Sequence, residues 1–302
     1  MKLRNIFMTV SLVWVLLCSC IKESHEYCHN YYYVDLSYMG DGIKEIFNKK
    51  ISKVQMFVFD SLTTNCLSVT ELSQDEISSR QAKLPPLSAG DYKIIFIGNP
   101  YDTFVGGLTS GDLEQVLFAA EDYVDEKTVS TNDSLYFASL SYTIEPFDKR
   151  RPITRKSVSF SSAHYDVSVE IDGVPPLESS SDRYPVVKIE GLSPYTSFTR
   201  EVCGDPATYE LQTSYDGLNT ITARCNIMRH LNHEDVWLKV YTPFGEELAA
   251  VNFATFIAQN REFIKMDRQE VLIPFKITFK SFDGVSVTVP DWVIEELYPE
   301  YE

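Results

Sequence analysis

From residue 31 onward the chain is a succession of short segments in which apolar and polar positions alternate. In Tyr31–Met39 the residues Tyr32, Val34, Leu36 and Tyr38 fall on one face. Tyr165, Val167, Val169 and Ile171 alternate with Asp166, Ser168, Glu170 and Asp172. Phe275, Ile277 and Phe279 run into Asp283-Gly284, after which Val285, Val287 and Val289 alternate back. A period of two puts every second side chain on the same side of an extended backbone, so these segments are half-buried strands and the last pair is a hairpin. Lys53–Asp60 (KVQMFVFD) is instead almost continuously apolar, the pattern of a central strand covered on both faces. Cys66–Leu72, Asp91–Ile97, Leu135–Ile144, Tyr184–Ile189 and Val236–Tyr241 are further strands, and Ala207–Ser214 and Asn219–Met228 flank a turn at Tyr215-Asp216-Gly217. Helical spacing is confined to Asp112–Ala120, through Leu113, Val116 and Leu117, and to Phe253–Asn260.

Short strands at roughly 8–12-residue spacing, separated by Gly/Pro turns, predict an all-β protein with a few short helices. A strand with one apolar face must stack that face on another sheet, so the expected architecture is two tandem β-sandwiches. The pattern breaks at Glu145–Lys156 (EPFDKRRPITRK), which carries two prolines and five basic residues. The boundary is placed there, with an N-terminal domain over residues 30–150 and a C-terminal domain over 151–295.

The apolar run Ile6–Leu17 is too short to span a bilayer as a stable helix. It follows Lys2 and Arg4 and precedes Leu17, Ser19 and Cys20 in the order of a lipoprotein signal peptide. The expectation is cleavage between Ser19 and Cys20, removal of residues 1–19, and acylation of the Cys20 thiol, with residues 20–29 as a lipidated tether. Each buried methylene contributes about 0.8 kcal/mol, so two or three acyl chains hold a soluble domain on a membrane durably. Ile21-Lys22-Glu23-Ser24-His25-Glu26 is similar to the lysine-then-acidic signal that directs lipoproteins of the Bacteroidetes lineage to the outer face of the outer membrane. A polar tether on a periplasm-facing lipoprotein would have the same composition.

Loss of the leader takes the net charge from −16 to −18. So acidic a surface does not attract nucleic acid or anionic headgroups. Cys28, Cys66, Cys203 and Cys225 remain in the expected mature chain. An oxidising compartment permits disulfides, with Cys28–Cys66 and Cys203–Cys225 as one arrangement, but four cysteines allow three pairings. Cys225 also lies on the apolar face of a strand, where a free thiol packs as a small hydrophobe. No nucleophile elbow, zinc-protease, P-loop or dinucleotide motif is present, and no cofactor is called for. His230-Leu-Asn-His233-Glu234-Asp235 is the nearest approach to a metal-ligand cluster, read here as a polar loop with no metal. Tyr31-Tyr32-Tyr33 offers sugar-stacking rings, but aromatics are ordinary strand residues. An enzyme is not expected.

Cys20-Ile-Lys-Glu with Cys28, Val54-Gln-Met-Phe-Val-Phe-Asp60, Leu87-Ser-Ala-Gly-Asp-Tyr92, Gly98-Asn99, Tyr136-Phe-Ala-Ser-Leu140, Tyr165–Ile171 and Val285-Ser-Val-Thr-Val-Pro-Asp-Trp292 occur in that order. Together they resemble the fimbrillin-A associated anchor proteins, the FimB-like basal lipoproteins of Bacteroidales fimbriae. Ser61-Leu62 stands where that family usually has glycine, and Cys66 has no counterpart in it. The resemblance implies two transthyretin-like sandwich domains, a lipid at Cys20 in the outer membrane, and fimbrial shaft subunits as partners. It further implies an anchoring role that limits fimbrial length, with subunits joined by strand addition. A surface glycan-binding or adhesive lipoprotein with no fimbrial role is the alternative.

Overall fold

The computed structural model describes residues 31–126, 128–146, 153–174, 185–215, 220–280 and 284–293. Residues 1–30, and with them Ser19, Cys20 and Cys28, lie outside the described residues. The chain is built of twenty-two strands and a few short helices among the described residues.

Three sheets form the first region. An outer sheet has β1 (Tyr31–Ser37) between β10 (Ile153–Ser159), to which it is parallel, and β4 (Gln81–Lys83). A central sheet runs β11 (Ser161–Ser162), β9 (Tyr136–Ile144), β5 (Gly90–Gly98), β2 (Val54–Asp60), β3 (Cys66–Glu71). One face of the central sheet packs Val54, Met56, Val58, Ile94 and Phe96 against Val34, Leu36 and Tyr38 of the outer sheet and its extension. The opposite face buries Phe57, Phe59, Ile95, Ile97 and Phe137 under Phe118 and Phe198. Both faces are dry, which is why β2 lacks the usual alternation.

Phe118 and Phe198 belong to a third sheet of mixed parentage, ordered β15 (Val202–Cys203), β14 (Tyr195–Ser197), β7 (Leu117–Ala120), β6 (Thr103–Gly106), with Phe198 just past β14. Phe198 is a wedge from the second half of the chain. Its ring lies 5.0 Å from Phe57, 5.9 Å from Phe59, 6.1 Å from Phe118 and 6.4 Å from Phe137, and its N–H donates to the Val116 carbonyl at 3.0 Å.

The second region is a two-layer sandwich. One sheet runs β17 (Thr213–Tyr215), β18 (Thr220–Met228), β12 (His164–Asp172), β21 (Leu272–Lys280), β22 (Gly284–Thr288), with β12 parallel to β21. The other runs β20 (Glu247–Asn252), β19 (Trp237–Tyr241), β13 (Val186–Leu192), β16 (Ala207–Leu211), β8 (Thr128–Val129). Val167, Val169 and Ile171 pack with Val187, Ile189, Leu238 and Val240 between them. The helix Phe253–Gln259 lays Phe253 and Phe256 on Phe275, with centroids 5.0 and 4.2 Å apart.

Strand pairing crosses the expected boundary, and one expected helix is corrected. The boundary at 150/151 does not coincide with a change of sheet. Ile153–Ser159 pairs with β1, and the chain leaves the first region only after Ser162, because alternate faces of β10 offer Val158 to that core. In the other direction, β7 and β8 pair with β14 and β16 of the second half. Asp112–Ala120 is not a helix: a single turn at Leu113–Gln115 gives way to β7, whose ladders to β6 and β14 override helical spacing.

Opposite the Phe198 wedge the two regions meet at a polar node. The Glu270 carboxylate accepts from the Tyr38 hydroxyl, from the Tyr136 hydroxyl at 3.3 Å and from Lys50 Nζ at 2.8 Å. Asp41 accepts from the backbone N–H groups of Gln269 and Glu270 at 2.8 and 3.0 Å. Burial works to raise the Glu270 pKa, but Lys50 and Tyr38 outweigh it and hold the carboxyl below its usual range.

Candidate partner-binding flank

The flank of the first region between β3 and β6 is exposed and apolar. β3 (CLSVTE) is the last strand of the central sheet and pairs only with β2, so its outer main-chain groups face away from the sheet. Val69 lies opposite Phe57 and shares its face. β6 is the outer strand of the mixed sheet above that face. Leu67, Val69 and Phe104 are 52%, 47% and 40% exposed, and Cys66, Val105 and Leu108 are half-buried against the core behind them.

Both ends of this flank are fastened. At one end Asp60 Oδ1 accepts from the N–H groups of Leu62 and Thr63 at 2.9 and 2.8 Å, which lowers its pKa and shapes the β2–β3 turn. In that turn the Thr64 hydroxyl donates to the Gly111 carbonyl. Gly107, at φ +76°, lets the chain leave β6 so close to Gln115 that a Cβ would lie 2.0 Å from its carbonyl oxygen. At the other end Lys53 pairs with Glu71 at 3.6 Å and sits over the Tyr101 ring at 5.6 Å. Asp133 Oδ2 takes the N–H groups of Tyr101 and Asp102, each at 2.8 Å. The one charged residue of β3, Glu71, lies at its end in the pair with Lys53; Cys66–Thr70 carry no charge, and among the described residues no strand pairs with the outer side of β3. By contrast β10, the outer strand of the outer sheet, carries Arg155 and Lys156, a usual protection against strand pairing. β22 is also an edge strand without charged residues, but its Val287 packs against the core of its own sandwich. An edge that is uncharged over Cys66–Thr70 and bordered by apolar side chains can accept an extended segment through main-chain hydrogen bonds.

Other residues singled out in the sequence lie elsewhere. Cys66, Cys203 and Cys225 are free thiols. The Cys203–Cys225 arrangement is not formed: Cys203 sits at the rim of the mixed sheet, while Cys225 faces the second core, where burial pushes its thiol pKa up. His230 and His233 stack with centroids 4.3 Å apart rather than converging on a ligand point, and His230 Nδ1 bonds the Met228 carbonyl at 2.8 Å. Burial, and then the neighbouring His230, push His233 down to about 4. Among the described residues no group of three or more His, Cys, Asp or Glu is placed to hold a metal ion. Tyr32 is buried, Tyr31 is exposed with Lys83 Nζ 4.9 Å from its ring centroid, and Arg155 lies 5.6 Å from that of Tyr33. Of the basic connector, residues 147–152 lie outside the described residues and Ile153–Lys156 opens β10. Leu67, Val69 and Phe104 were not singled out from sequence. Three exposed apolar residues on two strands have no shared sequence period, and only the sheet order brings them together.

A family model of the fimbrillin-A associated anchor proteins Mfa1 and Mfa2 matches residues 25–298. The chain belongs to this family. Among curated proteins none matches the sequence. Among solved structures the fold is similar to the fimbrial anchor protein Mfa2 from Porphyromonas gingivalis, with TM-score 0.65 and 16% identity over 86% of this chain and 95% of that one. It is also similar to a candidate adhesin from Bacteroides ovatus, with TM-score 0.68 and 17% identity over 87% and 94%. A candidate polysaccharide-binding protein from Bacteroides thetaiotaomicron VPI-5482 gives TM-score 0.66 and 12% identity over 87% and 97%. At these identities the likeness speaks for the all-β fold. Membership of the anchor family gives the chain a fimbria-associated role. None of the described helices is long and apolar enough to cross a membrane.

Proposed function

We propose that this chain is the lipid-anchored base of a fimbria. In this reading the leader is cut before Cys20, and acyl chains on that thiol hold the protein at the outer face of the outer membrane. The two regions then stand away from an anionic surface that their own negative charge repels. The shaft subunit engages by adding an extended strand along β3, its apolar residues seated among Leu67, Val69 and Phe104. With one end committed to lipid, the protein joins the polymer through a single surface and so ends its growth, which limits fimbrial length. The chain acts by holding and carries out no catalysis. The observation that carries the proposal is the exposed apolar β3–β6 flank, Leu67, Val69 and Phe104 along an edge strand, in a member of an anchor family.

The test uses two variants in the native cell. Cys20→Ala removes the lipid and is expected to shed fimbriae with this protein attached. Leu67→Lys combined with Val69→Lys leaves the protein on the membrane but frees the fimbriae, which lengthen. Fimbriae that stay cell-bound and of normal length in both variants overturn the proposal; electron microscopy and immunoblots of membrane and medium measure this.

A further inference from the structure

The outer face of the sheet β17-β18-β12-β21-β22 is polar, yet Trp292 borders it. After β22 the chain turns over the sheet, with Val289 and Val293 buried on either side of the turn and Asp291 held 3.8 Å from Lys276. These contacts fix Trp292 beside the polar face with 40% of its surface exposed. Beside it opens a groove of about 520 Å³ lined by Ser168, Glu170, Thr213, Thr222, Arg224 and Trp292.

The charges along this groove are already matched. Arg224 Nε donates to both Asp166 oxygens at 2.8 and 3.1 Å, and Lys276 Nζ lies 2.9 Å from Glu170. A ligand that brought its own charge would have to break one of these pairs and meet a chain of net charge −16. The Ser168 hydroxyl lies at the floor of the groove, buried and with no hydrogen-bond partner among the described residues. The groove thus combines a flat aromatic face, hydroxyl groups from Ser168, Thr213 and Thr222, and internally neutralised carboxylate and guanidinium groups. An apolar ring face beside convergent polar groups suits a pyranose, whose C–H face stacks on an indole while its hydroxyls donate and accept.

We propose that this groove binds a neutral oligosaccharide, with Trp292 as the stacking platform. The site is remote in the fold from the β3–β6 flank and does not depend on the anchoring role. The purified protein is titrated with laminarin and with yeast mannan, both neutral, and with anionic polygalacturonate, following tryptophan fluorescence and heat. Saturable binding is expected for at least one neutral glycan and not for polygalacturonate. Trp292→Ala weakens binding about tenfold or more, as loss of an aromatic platform should. Thr222→Met, a change at an exposed strand position that narrows the groove and leaves the core alone, also weakens it, and Trp237→Ala on the other sheet does not. No binding of either neutral glycan overturns the proposal. So does binding that survives both groove variants, or equal binding of polygalacturonate.

Discussion

The central sheet of the first region buries both faces, whereas the sheet β17-β18-β12-β21-β22 of the second buries one and wets the other. That difference divides the work. In the first region aromatic side chains from three sheets pack on one another, and the price is an apolar flank left open where β3 and β6 end the layers. In the second, the dry face carries stability and the wet face is free to present polar chemistry, here a groove beside one tryptophan. The first region is therefore suited to gripping protein and the second to meeting hydrated ligands. Phe198 and Glu270 join the two by unlike means, one by apolar insertion and one by charge-assisted hydrogen bonds.

The sharpest way to break this contrast is Phe198→Ala. Its ring is 4% exposed and touches four phenylalanines, so its loss costs about 3–5 kcal/mol, read from the denaturant midpoint. If the regions were independent, only a small change would follow. Next, Glu270→Gln removes a charged acceptor of three donors and costs about 1.5–3 kcal/mol at neutral pH. Because the folded-state pKa of Glu270 lies below its unfolded value, its contribution is present above the usual carboxylate range and is lost as pH falls through the lowered value. The variant should accordingly lose less stability than the parent on acidification below about pH 4. His233 titrates in a different window. Neutral and depressed to about 4 in the folded state, it favours folding above its unfolded pKa of about 6.5 and progressively withdraws that contribution down to pH 4. His233→Gln should flatten the stability profile between those limits. Smallest is Val69→Lys: on an exposed edge it should alter stability by no more than about 0.5 kcal/mol while weakening shaft-subunit binding, which separates the flank from the core behind it.

Much of the strand inventory was legible because alternation reports burial of one face directly. Tyr31–Ser37, Tyr165–Ile171 and the paired closing strands Leu272–Lys280 and Gly284–Thr288 all appear as strands, and the continuously apolar KVQMFVFD run is the two-sided strand it suggested. The helix Gln74–Ser79 carries a local signature too, a capping box of Ser73 and Glu76 with both reciprocal hydrogen bonds present. Other features carried no such signal. Nothing in residues 153–159 says that they pair with β1 rather than open a new domain, since parallel partners far apart in sequence share no local pattern. Phe198 resembles any loop phenylalanine until the mixed sheet sets it over Phe57.

Period, turn residues and composition, being local properties of the chain, determined the all-β character, the acidic surface and the lipoprotein-like start. Tertiary structure alone decided which edges stay open, that Leu67, Val69 and Phe104 share one flank, and that Trp292 borders a polar sheet face. Those are matters of which distant strands become neighbours, and long-range packing free energy chooses them where no short stretch of sequence can.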